Sequence, residues 1–201
     1  MDDIVKQAMK KWPDVPHCYG WLLLDARGAW RMRDEQAQAA NALGDRLAHE
    51  ALLAFINRNY QCDERGCWYF QNGPQRVFVI LEATPFVAHT DTAGGFQLHT
   101  GEALSRIDAA GFTDGGQLLL QSAEKLAQLD DRDLAECLAA LRLDGAPVDD
   151  ARLLHWIDGS DAGMLTLVCG GQTIAVGRIA TDSVEKQFGF VKLPQPDLSS
   201  Q

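Results

Sequence analysis

Arginine, amide and aromatic side chains are concentrated in one stretch of the sequence, residues 56–77. The arginines are Arg58, Arg65 and Arg76, the amides are Asn57, Asn59, Gln61, Gln71, Asn72 and Gln75, and the aromatics are Tyr60, Trp68, Tyr69 and Phe70. A planar guanidinium binds a carboxylate or phosphate through two parallel hydrogen bonds, and a large aromatic ring offers a stacking surface. The stretch therefore predicts a binding surface for an anionic group. The alternative is a structural meander whose polar residues satisfy turns and helix ends.

Specific roles follow from the residue types in and beside this stretch. Arg58 and Arg76 are expected to pair with an anion or carboxylate. Trp68 or Tyr69 is expected to stack on the ligand, because neighbouring strand residues point to opposite faces, one towards the core and one towards a cleft. The residues expected to orient polar groups are His49, Asn57 and Asn59.

Motifs for catalysis and for cofactors are absent from the sequence. It has no G-x-S-x-G and no glycine-rich phosphate loop. Cys62 and Cys67 are not followed by a second Cys or His pair at metal-ligand spacing. We therefore predict no catalytic residue, no metal and no cofactor. A hydrolase that uses a carboxylate or Cys62, the latter with His49 as a base, remains an alternative.

The charge balance limits the class of partner. The 201-residue chain has a net charge of −10, and most of it lies in the second half. Residues 1–90 hold 11 acidic and 10 basic residues, whereas residues 91–201 hold 17 and 8. Nucleic-acid binding and polybasic membrane binding both need a cationic surface, so we predict neither. A small molecule or a protein remains as the partner, and a scaffold that presents the acidic half to a protein is a third hypothesis.

Cysteine usage and the first residues indicate a compartment. Five cysteines at irregular spacing do not make a disulfide framework. The opening segment, MDDIVKQAMKKWP, is amphipathic and lacks the apolar core of a signal peptide. No apolar run approaches the length of a membrane span. We predict a cytoplasmic protein with reduced thiols and leave its oligomeric state open.

Local patterns in the first half predict the elements that would position the candidate residues. Asp25–Gly28 is a turn between two short apolar runs, which indicates a hairpin. Apolar residues at helical spacing follow Asp45, which is expected to cap a helix. The predicted elements are strands at 20–24 and 29–33, a helix at 45–59, and a three-stranded meander of 67–70, 77–81 and 86–89.

The second half combines strands with a helix. We predict a helix from Asp130 to Asp144, a hairpin of 164–168 with 173–177, and a last strand at 185–192. The order of elements is not a strict βαβ alternation, which favours an α+β fold with antiparallel sheets. The predicted domains are an N-terminal subdomain (1–91), a C-terminal subdomain (92–193) and a disordered tail (194–201).

Two segments carry a family resemblance, GWLLLDARGAWRMRD (20–34) and the run from Gly44 to Thr90. They resemble a family of conserved proteobacterial proteins of unknown function. Their pattern is also similar to a second bacterial family of unknown function, in which a strand ends in E-D-x-P-F-V. Here Glu82-Ala83-Thr84-Pro85 replaces the acidic pair.

This resemblance implies two α+β subdomains that arose by duplication. It also implies a pleckstrin-homology-like C-terminal half and a groove between the halves. With the residue types above, it predicts a non-catalytic module that binds a ligand or protein, with a role in signalling. Its site is expected where the 45–59 helix meets the sheet, near the subdomain interface.

Overall fold

The computed structural model describes residues 2–12 and 15–196. Over these residues the chain forms two sheets, six α-helices and a short 3₁₀ helix. It separates into two compact units, unit 1 (residues 1–85 with 189–201) and unit 2 (residues 86–188). The predicted α+β class with two subdomains is confirmed.

The sheet of unit 1, the first sheet, has the strand order β3-β2-β1-β6-β5-β4. Its strands are β1 (Cys18–Leu24), β2 (Trp30–Met32), β3 (Asp45–Arg46), β4 (Tyr60–Cys62), β5 (Trp68–Asn72) and β6 (Gln75–Leu81). β1 and β6 run parallel, and the other neighbours are antiparallel. The predicted hairpin around Asp25–Gly28 is confirmed by the pairing of β1 with β2.

The core of unit 1 lies around its two central strands. Leu22, Leu23 and Leu24 of β1 and Phe78 and Val79 of β6 are all buried. Consecutive residues on a strand point to opposite faces, so burial of successive residues means that both faces are covered here. Burying each such side chain contributes about 1.5–3 kcal/mol.

The helices of unit 1 are α1 (Asp3–Lys11), α2 (Glu35–Ala39) and α3 (Glu50–Arg58). The prediction of a helix that begins at Asp45 is wrong at its start. Residues 45–46 pair with β2 as strand β3, and His49 occupies the N-cap of α3. Capping by Asp45 predicted a first helical turn at this point. Residues 45–46 instead form hydrogen bonds with strand β2, and the helix begins at Glu50.

The second sheet belongs to unit 2 and has the strand order β14-β13-β15-β16-β10-β11-β12-β7-β8-β9. Its first strands are β7 (Phe86–Thr90), β8 (Phe96–Leu98), β9 (Ala103–Leu104), β10 (Ala109–Thr113) and β11 (Leu118–Ser122). The others are β12 (Lys125–Leu129), β13 (Leu141–Leu143), β14 (Ala146–Pro147), β15 (Leu165–Cys169) and β16 (Gln172–Ile179). β15 and β16 confirm the predicted hairpin near residue 170.

The predicted three-stranded meander is wrong in its third strand. β5 and β6 form a hairpin, but β7 pairs with β12 and β8 in the second sheet. Pro85 cannot donate a ladder hydrogen bond, and the chain leaves the first sheet before it. The compact units thus change at residue 86, whereas the sequence placed the division after residue 91.

The helices of unit 2 are shorter than the sequence indicates. They are α4 (Leu134–Leu138), α5 (Asp150–Ile157) and α6 (Val184–Phe188), with a 3₁₀ helix at Thr181–Ser183. The helix predicted from Asp130 to Asp144 ends early because Leu141–Leu143 pairs with β15.

The strand predicted at 185–192 is wrong. Residues 184–188 are helix α6, in which only Val184 is buried, and Gly189 follows at a φ of 68°. Glycine at a left-handed φ commonly ends a helix. Within the predicted tail, Pro194 is buried, while residues 197–201 lie outside the described residues.

Candidate functional site

Strand alternation divides the predicted site residues between the two faces of the first sheet. Phe70 faces α3, where its ring meets Phe55 edge to face at 5.4 Å. Tyr69, the preceding residue, lies on the opposite face beside Phe78, with ring centroids 5.6 Å apart. Trp68 and Tyr69 therefore belong to different surfaces.

On the α3 side, Trp68 and Asn57 take part in an aromatic cluster. The Tyr60 ring lies 4.8 Å from Trp68 and 5.1 Å from Trp30. The Trp30 indole Nε1 donates to Asn57 Oδ1 at 2.8 Å. Burial raises the pKa of Tyr60 well above its usual value, so its hydroxyl stays protonated. Asn57 thus satisfies a buried indole rather than pointing into a cleft.

Arg58 and Asn59 hold the start of α1. Asn59 is fully buried, accepts from the backbone N–H of Asp2 at 2.8 Å and donates to the Phe55 carbonyl at 3.0 Å. The exposed Arg58 pairs with the Asp2 carboxylate at 3.3 Å. Its hydrogen bond lowers the pKa of Asp2. Both residues already have protein partners.

His49 forms a hydrogen bond within the first turn of α3. Its Nδ1 accepts from the backbone N–H of Leu52 at 3.3 Å, which makes it the N-cap of α3. A side-chain acceptor at this position satisfies one of the free N–H groups at the start of a helix. The ligand role predicted for His49 stays a prediction.

The other face of the first sheet collects a second group of side chains, which we call the arginine face. It consists of His17, Tyr19, Arg65, Tyr69, Arg76 and Phe78. Tyr69 and Phe78 are buried and form its floor, and the Tyr19 ring stacks on Phe78 at 4.5 Å. Arg65, Arg76 and His17 remain half-buried or exposed around these rings.

Arg76 is the central cation of the arginine face. Its guanidinium lies over the Tyr69 ring, 4.7 Å from the centroid. Across the residues that the structure describes, no carboxylate pairs with it. A guanidinium stacked on an aromatic ring keeps its edge N–H groups available for another partner. Arg76 can therefore present a planar fork to an anion.

Arg65 is fixed in place by the loop between β4 and β5. Its guanidinium lies 5.4 Å from the Phe78 centroid, and its Nε donates to the Asp63 carboxylate at 3.0 Å. Asp63 also accepts from the backbone N–H groups of Arg65 and Cys67. Gly66 allows this tight turn, because its φ is 78° and a Cβ there would lie 2.4 Å from a backbone oxygen. A hydrogen bond to Tyr19 raises the pKa of Arg65.

His17 completes the arginine face. Its ring lies 5.8 Å from Phe78 in an edge-on arrangement. Burial, together with the positive charges of Arg76 and Arg65, lowers the pKa of His17. The imidazole is therefore neutral at pH 7, with one donor and one acceptor nitrogen.

The structure brings together two of the predicted residues, Tyr69 and Arg76. The predicted residues that lie elsewhere are His49, Asn57, Arg58, Asn59 and Trp68. Arg65 and His17 were not assigned to the site by sequence reasoning. The turn D-E-R-G, residues 63–66, was a usable signal for Arg65, whereas nothing in the sequence marked His17.

Other parts of the described structure offer fewer groups that could bind a ligand. A cavity of about 290 Å³ lies beside α2 in unit 1 and is lined by small and acidic residues, including Ala37, Gly44 and Asp45. None of the predicted site residues lines it. Within residues 2–12 and 15–196, no group of three His, Cys, Asp or Glu side chains is arranged to hold a metal ion. No helix in those same ranges is long and apolar enough to cross a membrane.

Fold and site together define an α+β protein of two sheet-based units with an arginine- and tyrosine-bearing face on its first sheet. The chain belongs to the family DUF2944, described as "Protein of unknown function (DUF2946)", whose family model matches residues 1–195. The resemblance to a family of unknown function is thereby confirmed.

Two solved structures from a second family of unknown function are similar to the chain. A DUF1285 family protein from Silicibacter pomeroyi DSS-3 has a TM-score of 0.50 at 12% identity, covering 87% of this chain and 86% of that chain. A DUF1285 family protein from Shewanella baltica OS155 has a TM-score of 0.41 at 13% identity, covering 58% and 89%. The first likeness shows the fold alone. Among curated proteins, none matches. A pleckstrin-homology-like second half stays a prediction.

Proposed function

We propose that this protein is a non-catalytic binding protein and that the arginine face binds an anionic group of a small molecule or protein. One observation carries the proposal. Arg76 is half-buried, stacked on Tyr69 and without a carboxylate partner among the described residues. Partial burial of an unpaired charge costs free energy that a bound anion would recover.

Other arginines of unit 1 have hydrogen-bonding partners that Arg76 lacks. Arg31, Arg58 and Arg65 each pair with an aspartate, and the buried Arg33 donates to neutral oxygens of Ala37, Asn41 and Ala42. Arg46 has no carboxylate partner within the described part of the chain either, but it is exposed on the edge strand β3 and lies in water. Arg76 thus combines a free guanidinium with an aromatic support, which is the arrangement that suits recognition of a planar or tetrahedral anion.

The hydrolase alternative has less support. Partial burial of the sulfur and the neighbouring Asp63 raise the pKa of Cys62 to about 11. A thiol with such a pKa stays protonated at pH 7 and is a poor nucleophile. His49, the proposed base, caps α3 instead.

Isothermal titration calorimetry with benzoate and phenyl phosphate tests the proposal. Arg76→Gln should weaken binding of both anions at least about tenfold, because a charge-assisted hydrogen bond contributes about 1.5–3 kcal/mol. Arg46→Gln is the matched control and should leave affinity unchanged. Arg76→Lys keeps the charge but loses the planar fork, so its affinity should fall between the two.

The result that would refute the proposal is equal affinity of wild type and Arg76→Gln for both anions. Circular dichroism spectra of all three variants establish that each is folded. A variant that loses affinity but keeps the wild-type spectrum has lost the binding site and not the fold.

A further inference from the structure

The arginine face surrounds one pair of aromatic rings with three separate hydrogen-bonding groups. Arg76 lies 4.7 Å from the Tyr69 centroid, and Arg65 lies 5.4 Å from that of Phe78. The His17 ring is 5.8 Å from Phe78, and the Tyr69 and Phe78 rings are 5.6 Å apart. Three groups of different origin, from β6, from the β4–β5 loop and from the segment before β1, therefore face one surface.

The number and placement of these groups discriminate between anions. A carboxylate has two oxygens, and the fork of Arg76 alone can satisfy both. Arg65 is held by Asp63, by the Gln195 carbonyl at 3.3 Å and by Tyr19, which leaves part of its five N–H donors unused. A tetrahedral group with three terminal oxygens can use Arg76, the remaining Arg65 donors and an imidazole N–H together.

We infer that the group bound on the arginine face is a tetrahedral dianion of the phosphate monoester type, and that His17 takes up a proton when it binds. This inference rests on the proposed function and names its ligand class. The bound phosphoryl group accepts hydrogen bonds from Arg76, Arg65 and the protonated His17. No covalent bond forms or breaks.

The charges around His17 explain the coupling. Arg76 and Arg65 face it as cations, and Asp63 neutralises part of the Arg65 charge. Burial raises the pKa of Tyr69, so its phenol stays uncharged at pH 7. In the free protein the two guanidinia disfavour a third positive charge. A dianion placed among them reverses the sign of the local field and favours the imidazolium. A monoanion would neutralise the charge of Arg76 alone and would not favour protonation of His17.

Sulfate is the probe of choice, because it is a tetrahedral dianion that does not itself titrate near neutral pH. NMR of the histidine ring carbons, with His17 assigned by His17→Gln, follows the imidazole during sulfate and benzoate titrations. Sulfate should bind about tenfold more tightly at pH 5.5 than at pH 8 and should raise the pKa of His17. His17→Gln should abolish that pH dependence while retaining the weaker affinity. His155→Gln, which changes an exposed histidine of unit 2, should preserve the dependence.

The possible outcomes separate the inference from the proposed function. Sulfate affinity that is equal at both pH values, or a benzoate-induced rise in the pKa of His17 as large as that with sulfate, would overturn the inference and leave an anion site at Arg76. If neither anion perturbs wild-type resonances of the arginine face, the proposed function fails as well. Phenyl phosphate that binds more weakly than benzoate at pH 7, where it is mostly a dianion, would also reject the phosphate class.

Discussion

Asp130 in unit 2 provides a quantitative test of the structure. Its side chain is fully buried and accepts hydrogen bonds from the Arg132 backbone N–H at 2.9 Å and from Nε at 3.0 Å. Arg132 Nη2 reaches it at 2.5 Å, and His89 Nδ1 lies 3.4 Å away. Burial by itself would raise the pKa of Asp130, but the hydrogen bonds from Arg132 outweigh it and lower the pKa to about 2.

The lowered pKa converts to a contribution to stability. An unfolded aspartate titrates near 3.9, so the lowering of the pKa to about 2 corresponds to about 3 kcal/mol of folding free energy. Because the folded pKa is the lower one, this stability is fully present above about pH 4. It is lost as the pH falls through about 2. Asp130→Asn removes the charge and should therefore lower the free energy of unfolding by about 3 kcal/mol at pH 7.

Urea unfolding followed by circular dichroism at pH 7, 4 and 2.5 measures this difference. The gap in unfolding free energy between wild type and Asp130→Asn should be about 3 kcal/mol at pH 7 and should shrink to about 1 kcal/mol at pH 2.5. Asp182→Asn, the same change at an exposed position, should have no effect beyond about 0.5 kcal/mol. A gap that stays constant with pH would refute the Arg132–Asp130 assignment.

Two further predictions concern residues to which the sequence assigned chemistry. His49→Ala should lower the free energy of unfolding by about 0.5–1 kcal/mol in urea titrations through loss of the α3 cap, with benzoate affinity unchanged; a loss of affinity would instead support the ligand role. Cys62, with a pKa of about 11, should react with iodoacetamide at pH 7.5 at least about tenfold more slowly than free cysteine, as measured by peptide mass spectrometry. Faster alkylation would restore the nucleophile hypothesis.

Turn chemistry made the hairpins predictable. Asn72-Gly73 and Gly170-Gly171 both lie between apolar runs, and both join paired strands. The apolar face of α3 was visible as well, because Leu52, Phe55 and Ile56 recur at helical spacing. In the structure Phe55 packs on Phe70 of the sheet, and Ile56 is buried. These features depend on residues close together in the sequence.

Strand partners were not predictable in the same way. β7 follows β6 along the chain but pairs with β12, and β6 itself lies beside β1 rather than beside β7. Such pairings join residues many positions apart, and local propensity carries no information about them. The same applies to residues 45–46. Their local sequence favours a helix, but pairing with the distant strand β2 makes them a strand.

The candidate site was predictable only where its residues lie close together in the sequence. Tyr69 and Arg76 lie on adjacent strands of one hairpin, so a local pattern sufficed to place them together. The partner of Arg58 is Asp2, 56 residues away, and no spacing rule connects the two. His17 reaches the arginine face because β1 lies beside β6, a pairing that the sequence did not reveal.

The central claim is that Arg76 on the arginine face binds an anion. Its most direct test is an NMR titration of the ¹⁵Nε–¹H resonances of the arginine side chains with phenyl phosphate, with Arg76 assigned by Arg76→Lys. Arg76 Nε–H should shift in a saturable manner while Arg46 Nε–H stays constant. An unchanged Arg76 resonance, or equal and non-saturating shifts at Arg76 and Arg46, would contradict the claim.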